Sequence, residues 1–275
     1  MKNKTFIMGV INITPDSFSD GGKYNCLEKG LKHAQKLIKE GADILDIGGE
    51  STRPFSKSVP LEEELKRVVP IVKEIRKITD IPISIDTNKA QVAKAALESG
   101  ASIINDVSAM SFDPDMADIA KNFDVPIILM HISGTPENMQ KNPVYKNLME
   151  EIKDYFAQKI NYAQEKGIKK EKIILDPGIG FGKTLEHNLD IINNLKGLKD
   201  AFGLPVLIGT SRKTFIRKIL KKDDLPNDPD VITGSVASIC AAILNGADIV
   251  RVHDVKETKA AVQIIDALKN LKTGD

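Results

Sequence analysis

Little in this chain marks a specialised class. It has two cysteines in 275 residues, Cys26 and Cys240, far apart in sequence. They cannot form a cysteine-rich zinc site, and two reduced thiols of a cytosolic protein are the expected state. Neither sign of charge is in excess: 39 basic against 38 acidic residues leave a net charge of +1, which gives no basic footprint for a nucleic acid. No apolar run is long enough to span a bilayer, and the first residues carry no apolar segment ending in a cleavage site, so the cytoplasm is the expected compartment. No Pro/Ser-rich linker or low-complexity segment divides the chain. No GxGxxG follows the first apolar run, which removes the dinucleotide fingerprint, and the loop Gly178–Lys183 falls short of GxxxxGK[ST].

What is present is one unit used repeatedly: an apolar run, a polar residue at its end, a loop, an amphipathic helix. Hydrophobic residues make up 41% and charged residues 28%, enough for a large core. Apolar runs at Thr5–Ile11, Ile44–Ile47, Ile83–Ile85, Ile103–Ile104, Pro126–Met130, Ile173–Leu175, Val206–Ile208 and Ile249–Val250 read as strands. Helical spacing covers Cys26–Glu40, Leu61–Ile78, Lys89–Ser99, Asp115–Phe123, Tyr145–Lys166 and Leu185–Leu195. A further helix begins at Phe215–Leu220 and resumes over Val231–Asn245, and Glu257–Leu271 closes the chain. Gly41-Ala42-Asp43, Gly100-Ala101-Ser102 and Gly246-Ala247-Asp248 look like one repeated helix stop. Eight strand–helix units predict a single (β/α)₈ TIM barrel domain over residues 1–275, with its site at the carboxyl ends of the strands. A doubly wound open sheet is the other architecture compatible with this alternation.

In a barrel, the mouth collects Asn12, Asp46, Asp86, Asn105, Asp176, Lys213, Arg251 and His253. Three carboxylates facing one cavity repel one another, so they need a metal, a cationic transition state or a ligand rich in N–H donors. Asp176 is placed to take an amidine-like edge or to cap the turn at Pro177-Gly178. Lys213 either reaches a ring carbonyl or nitrogen or is solvated. Arg251 and His253 flank one residue and so share a strand face; with Asn12 they suit an oxyanion or a diphosphate. The glycines of Gly178–Lys183 leave room for a flat ligand near Phe181.

Several of these segments carry a family likeness. The run from Gly9 to Gly22, GVINITPDSFSDGG, strongly resembles the first signature of the dihydropteroate synthases, and Asp46–Pro54, DIGGESTRP, resembles the second. Ser84–Thr87, Ile104–Asp106, Met130-His131 with Gly134–Pro136 and Met139-Gln140, Asp176–Lys183, Ser211–Lys213 and Arg251–Asp254 follow in the same order. The resemblance implies a pterin-binding TIM-barrel transferase. It would condense 6-hydroxymethyl-7,8-dihydropterin diphosphate with p-aminobenzoate to 7,8-dihydropteroate and diphosphate, a step of folate biosynthesis and a sulfonamide target.

Carried over by motif, the resemblance implies pterin contacts from Asp46, Asp86, Asn105, Met130, Asp176, Phe181 and Lys213. It implies a diphosphate site at Asn12, Thr52, Arg53, Arg251 and His253, with Asn12 also on Mg²⁺. A p-aminobenzoate pocket would be bordered by Phe18, Pro54, Phe181, Ser211 and Lys213. Asp86, Lys213, Arg251 and Asp16 take the catalytic roles, and the family expectation is a homodimer with no nucleic-acid or membrane partner. The chain departs from the pattern at Phe55, where glycine is usual, and at Ser133, where glutamine is. A pterin-dependent methyltransferase barrel would share the carboxylates but has no use for the Arg251–His253 pair, and a non-catalytic phosphate-binding barrel would not need the carboxylate set.

Overall fold

The computed structural model describes residues 4–13, 23–51, 56 and 58–272, and the side chains of residues 23–26 and 272 are outside that description. The strands are β1 (Phe6–Asn12), β2 (Ile44–Gly48), β3 (Ile83–Asp86), β4 (Ile103–Asp106), β5 (Ile127–Met130), β6 (Ile173–Asp176), β7 (Leu207–Ile208) and β8 (Ile249–Val252). The helices are α1 (Lys23–Glu40), α2 (Leu61–Arg76), α3 (Ala90–Glu98), α4 (Met116–Phe123), α5 (Leu148–Glu165), α6 (Leu185–Phe202), α7 (Thr214–Leu220), α8 (Pro229–Leu244) and α9 (Val255–Lys272). The strands form one parallel sheet in the order β6-β5-β4-β3-β2-β1-β8-β7, and a parallel bridge between Leu175 and Val206 closes it into the expected barrel. No helix among the described residues is long and apolar enough to cross a membrane.

Strand residues alternate between two apolar clusters, as a period of two requires. Ile7, Leu45, Ile85, Ile104, Ile127, Leu175 and Val250 face outward and pack with Leu37, Ile75, Phe156 and Leu195 of the surrounding helices. Their chain neighbours Met8, Ile44, Ile103, Ile128 and Ile249 fill the barrel interior together with Leu207, and Ile174 packs against them. On β3 the outward residues are Ile83 and Ile85, so Ser84 is the inward one; its hydroxyl is buried without a hydrogen-bond partner among the described residues.

The repeated stop is a left-handed glycine cap. Gly41, Gly100 and Gly246 have φ of 98, 112 and 113°. The N–H of the following alanine donates five residues back, Ala42 to Leu37, Ala101 to Ala96 and Ala247 to Ala242. The aspartates then tie the new strand to the start of the preceding one: Asp43 accepts from Ile7 N at 3.0 Å and Asp248 from Val206 N at 3.0 Å.

Several boundaries differ from the sequence reading. α5 starts at Leu148 rather than Tyr145, because Asn147 caps it by accepting from Glu150 N. α6 continues past Leu195 to Phe202: Asn194 leaves helical geometry (φ −111°, ψ 15°), bonds back to Asp190, and the helix resumes. The segments on either side of residues 221–228 are separate helices, the second opened by Asp228 as cap and Pro229 in its first turn. β7 is two residues long, and Val206 serves the closing bridge instead.

The loop after β6 lies directly on the loop after β5. A Cβ on Gly178 (φ 71°) would sit 2.0 Å from the carbonyl oxygen of His131. Gly178 therefore serves a loop-on-loop contact. Gly178→Ala should lower stability by about 3 kcal/mol or more, from the clash and the strained φ together, read as a lower urea midpoint. An unchanged midpoint would contradict the close approach.

Candidate active site

The functional side chains stand two residues above the interior layer. Ile44 is followed by Asp46, Ser84 by Asp86, Ile103 by Asn105, Ile128 by Met130, Ile174 by Asp176 and Ile249 by Arg251; Met8 and Val10 lead to Asn12. Period two thus aims all of them into the mouth. Most are buried there: Asp46 is 0% exposed, Asp86 5%, Asn105 4% and Asp176 8%.

Arg251 is the hub. Its Nε lies 2.6 Å from Asp46 Oδ2 and its Nη2 2.6 Å from Asp86 Oδ2. Asn105 Nδ2 donates to Asp46 Oδ2 at 3.2 Å. Desolvation works against the guanidinium charge, but Asp46 and Asp86 hold its pKa above the ordinary value. The other oxygen of Asp86, Oδ1, is buried and has no hydrogen-bond partner among the described residues. Burial pushes Asp86 up to about 7; Arg251 opposes this, while Asp46, Glu64 and Asp106 add to it. Asp176 is raised too, by burial first, with the Gly178 N–H, Lys213 and Arg251 pulling it down. Gly178 N donates to Asp176 Oδ1 at 2.8 Å, so Asp176 does cap its turn, with one oxygen.

On the opposite lip, Lys213 Nζ lies 4.2 Å from the centre of the Phe181 ring, within cation–π range. Phe181 belongs to an apolar cluster with Val107, Met130, Ile132 and Met139. Ser211 Oγ meets His253 Nδ1 at 3.1 Å and accepts from His253 N at 3.2 Å, which ties the end of β7 to the end of β8. Arg212, at a φ of 58°, braces the same corner through a forked pair with Asp254, at 3.0 and 2.5 Å. Burial pushes His253 down to about 3, helped by Arg251 and Arg212, so His253 is a neutral hydrogen-bonding ring rather than a cation. The structure thus gathers Asn12, Asp46, Asp86, Asn105, Met130, Asp176, Phe181, Ser211, Lys213, Arg251 and His253 at one end of the barrel. Asp16, Phe18, Thr52, Arg53 and Pro54 lie outside the described residues, as does Phe55.

Two groups were not legible in the sequence. Lys89 Nζ joins Glu50 Oε2 and the fully buried Glu64 Oε2, both at 2.5 Å, and Glu64 Oε1 accepts from Thr87 Oγ1 at 2.7 Å, so the residue after Asp86 is tied to α2. Nothing in local spacing links these positions. The second group surrounds Lys183, which is 3% exposed and meets His131 Nδ1 at 2.9 Å. A lysine closing a glycine loop inside a motif was the available signal.

Comparison with known proteins agrees with this geometry. Residues 8–253 match the family described as pterin binding enzyme. The dihydropteroate synthase of Clostridium beijerinckii is 49% identical over 96% of this chain and 94% of its own length. The structure of the Xanthomonas albilineans dihydropteroate synthase with 4-aminobenzoic acid superposes with a TM-score of 0.90 at 40% identity, covering 97% of this chain and 94% of that one. The same bacterium's enzyme in complex with 7,8-dihydropteroate gives a TM-score of 0.87 at 37% identity, with coverage of 97% and 94%. A mouth of buried carboxylates around one arginine, on a barrel matched along nearly its whole length, places this chain in the pterin-binding enzyme family, among its dihydropteroate synthases.

Proposed function

We propose that the mouth of this barrel condenses 6-hydroxymethyl-7,8-dihydropterin diphosphate with p-aminobenzoate, releasing diphosphate and forming 7,8-dihydropteroate. The observation that carries the reading is Asp86, a buried carboxylate with one oxygen on Arg251 and the other without a partner among the described residues. An unsatisfied buried carboxylate oxygen is costly and calls for a ligand donor or a developing positive charge.

The pterin lies against the strand ends. Asn105 and the second oxygen of Asp176 take its hydrogen-bonding edge, and Met130 and the Phe181–Lys213 pair border its ring. The diphosphate is held by Arg251, by His253 as a neutral partner and by Asn12, with Thr52 and Arg53 in the same role. Mg²⁺ is commonly held by one or two protein oxygens plus substrate phosphates, and the amide of Asn12 at the end of β1 fits that mode. Asn12 would supply the protein oxygen, and the ion would neutralise leaving-group charge. Phe18, Pro54 and Ser211 border the p-aminobenzoate site with Phe181 and Lys213.

Arg251 links binding to chemistry. In the free protein it offsets Asp46 and Asp86. A diphosphate competes for the same guanidinium. As Arg251 turns toward the departing oxygens, the carboxylates lose their counter-charge just as the pterin methylene becomes cationic. Their field then favours the transition state over the ground state. Asp16 on the first loop adds to that field. The arylamine attacks as the neutral amine, so no strong general base is required.

The first test is diphosphate release with Mg²⁺, with and without p-aminobenzoate. Release that requires the amine and yields dihydropteroate is expected; tight pterin binding with no release in either condition would overturn the assignment. Asp86→Asn should lower kcat by about 100-fold or more while pterin affinity changes by less than about 3-fold, and an unchanged kcat would remove the field role. Because the raised pKa of Asp86 leaves it charged only above about 7, kcat/KM for the pterin diphosphate should fall as pH drops through that value. Asp86→Asn should lose this limb; a limb retained in the variant would assign it to another group.

A further inference from the structure

Three successive carbonyls of the loop between β6 and α6 each accept a hydrogen bond from a side chain. Gln140 Nε2 donates to Gly180 O at 2.6 Å, Lys183 Nζ to Phe181 O at 2.9 Å and Tyr145 Oη to Gly182 O at 2.9 Å. Gly180 and Gly182 have φ of 79 and 66°, a conformation that no strand or helix ladder can satisfy, so side chains or water must do so. Here side chains do.

The three donors converge from one side. Gln140 and Tyr145 belong to the loop between β5 and α5, and Lys183 is fastened to the start of that loop. Its Nζ lies 2.9 Å from His131 Nδ1 and 3.4 Å from His131 O. Both residues are buried, and Lys183 makes no ion pair among the described residues. Burial, reinforced by Lys183, pushes His131 down to about 2, so its ring is neutral and Nδ1 accepts from the amine. The ring is wedged edge-on against Tyr155, with centroids 4.8 Å apart. Tyr145 stacks edge-on against His187 of α6 at 5.1 Å. A buried amine aimed at two carbonyls and an imidazole is a costly arrangement, and stability alone would be served as well by an apolar side chain there.

What this arrangement fixes is Phe181. Its own carbonyl and both neighbouring ones are held, which sets the direction of its ring. The ring sits under Lys213, and a Cβ on Gly180 would come within 3.3 Å of Lys213 Cδ, so the lysine stem runs along the same fastened backbone. Asp86 and Asn105 stand on strands and owe nothing to these bonds. The hydrogen-bonding edge of the pterin is therefore met by strand residues, whereas the Phe181–Lys213 pair, which borders both the pterin ring and the arylamine, is held by loops.

We propose that Gln140, Tyr145 and Lys183 are positioning residues that lock the loop after β6 onto the loop after β5, so that Phe181 and Lys213 present a fixed face to the incoming arylamine. This rests on the proposed condensation. It predicts a selective defect, larger on the second substrate than on the first.

The test is steady-state kinetics of the full chain together with calorimetric binding of the pterin diphosphate. Tyr145→Phe and Gln140→Leu each remove one hydrogen bond from a half-buried side chain and should each raise KM for p-aminobenzoate about 5-fold, the equivalent of one ordinary hydrogen bond. The pterin Kd should rise by a smaller factor than this KM, since the pterin edge is held by Asn105 and Asp176 on strands and only its ring meets Phe181 and Lys213. Lys183→Met should give a larger rise of about 10-fold or more, because Lys183 holds both loops. If that variant does not fold, the other two decide. A KM for p-aminobenzoate within 2-fold of wild type in both would overturn the clamp, as would a pterin Kd rising in step with it, which would mark these residues as general supports. A wild-type protein that makes no dihydropteroate would instead sink the condensation, and the clamp with it.

Discussion

One guanidinium makes this barrel mouth possible. Asp46, Asp86 and Asp176 converge from separate strands into a buried space, and without a counter-charge their mutual repulsion and desolvation would oppose closure of the sheet. Arg251 bridges two of them at 2.6 Å, reaching across 205 and 165 residues of sequence. The neutrality it provides is incomplete. Asp86 keeps an oxygen with no partner among the described residues and a raised pKa, so the mouth remains poised for a ligand carrying N–H donors at one end and negative charge at the other. The charge cluster that allows folding is thus also the one that a diphosphate would rearrange.

Strands and loops divide the remaining work. The inward layer of Met8, Ile44, Ile103, Ile128, Leu207 and Ile249 is an apolar floor beneath the carboxylates, which sharpens electrostatics above it. The loop after β6 is held to the loop after β5 by Lys183, Tyr145 and Gln140, and the loop after β7 to the end of β8 by Ser211 and the Arg212–Asp254 pair. A rigid floor with individually fastened loops allows one side of the mouth to be altered without disturbing the other.

The repeat of strand and helix could be read from the chain because its punctuation is local: Gly-Ala-Asp stops, β-branched runs, polar residues at run ends. The carboxylates were legible for the same reason, each standing within or just after an apolar run near its carboxyl end. What could not be read depends on contacts across the barrel. The continuation of α6 beyond Asn194 relies on tertiary packing of Leu195 and Leu198, which overrides a local break. The pairing of Arg251 with two carboxylates needs three strands to be closed in register. That burial makes the His253 ring neutral is likewise invisible in local spacing. Lys183 looked like part of a ligand loop, yet it faces away into His131.

The register of β3 has a consequence for how such a chain can change over time. Ile83 and Ile85 face the helices while Ser84 and Asp86 face inward. One residue gained or lost within that strand would bring Ile85 into the mouth and turn Asp86 into the apolar layer beneath the helices. The loops above are under no such parity constraint. Length variation in descendants of this sequence should therefore accumulate between the elements, while the strands stay fixed in length even where their individual apolar residues drift.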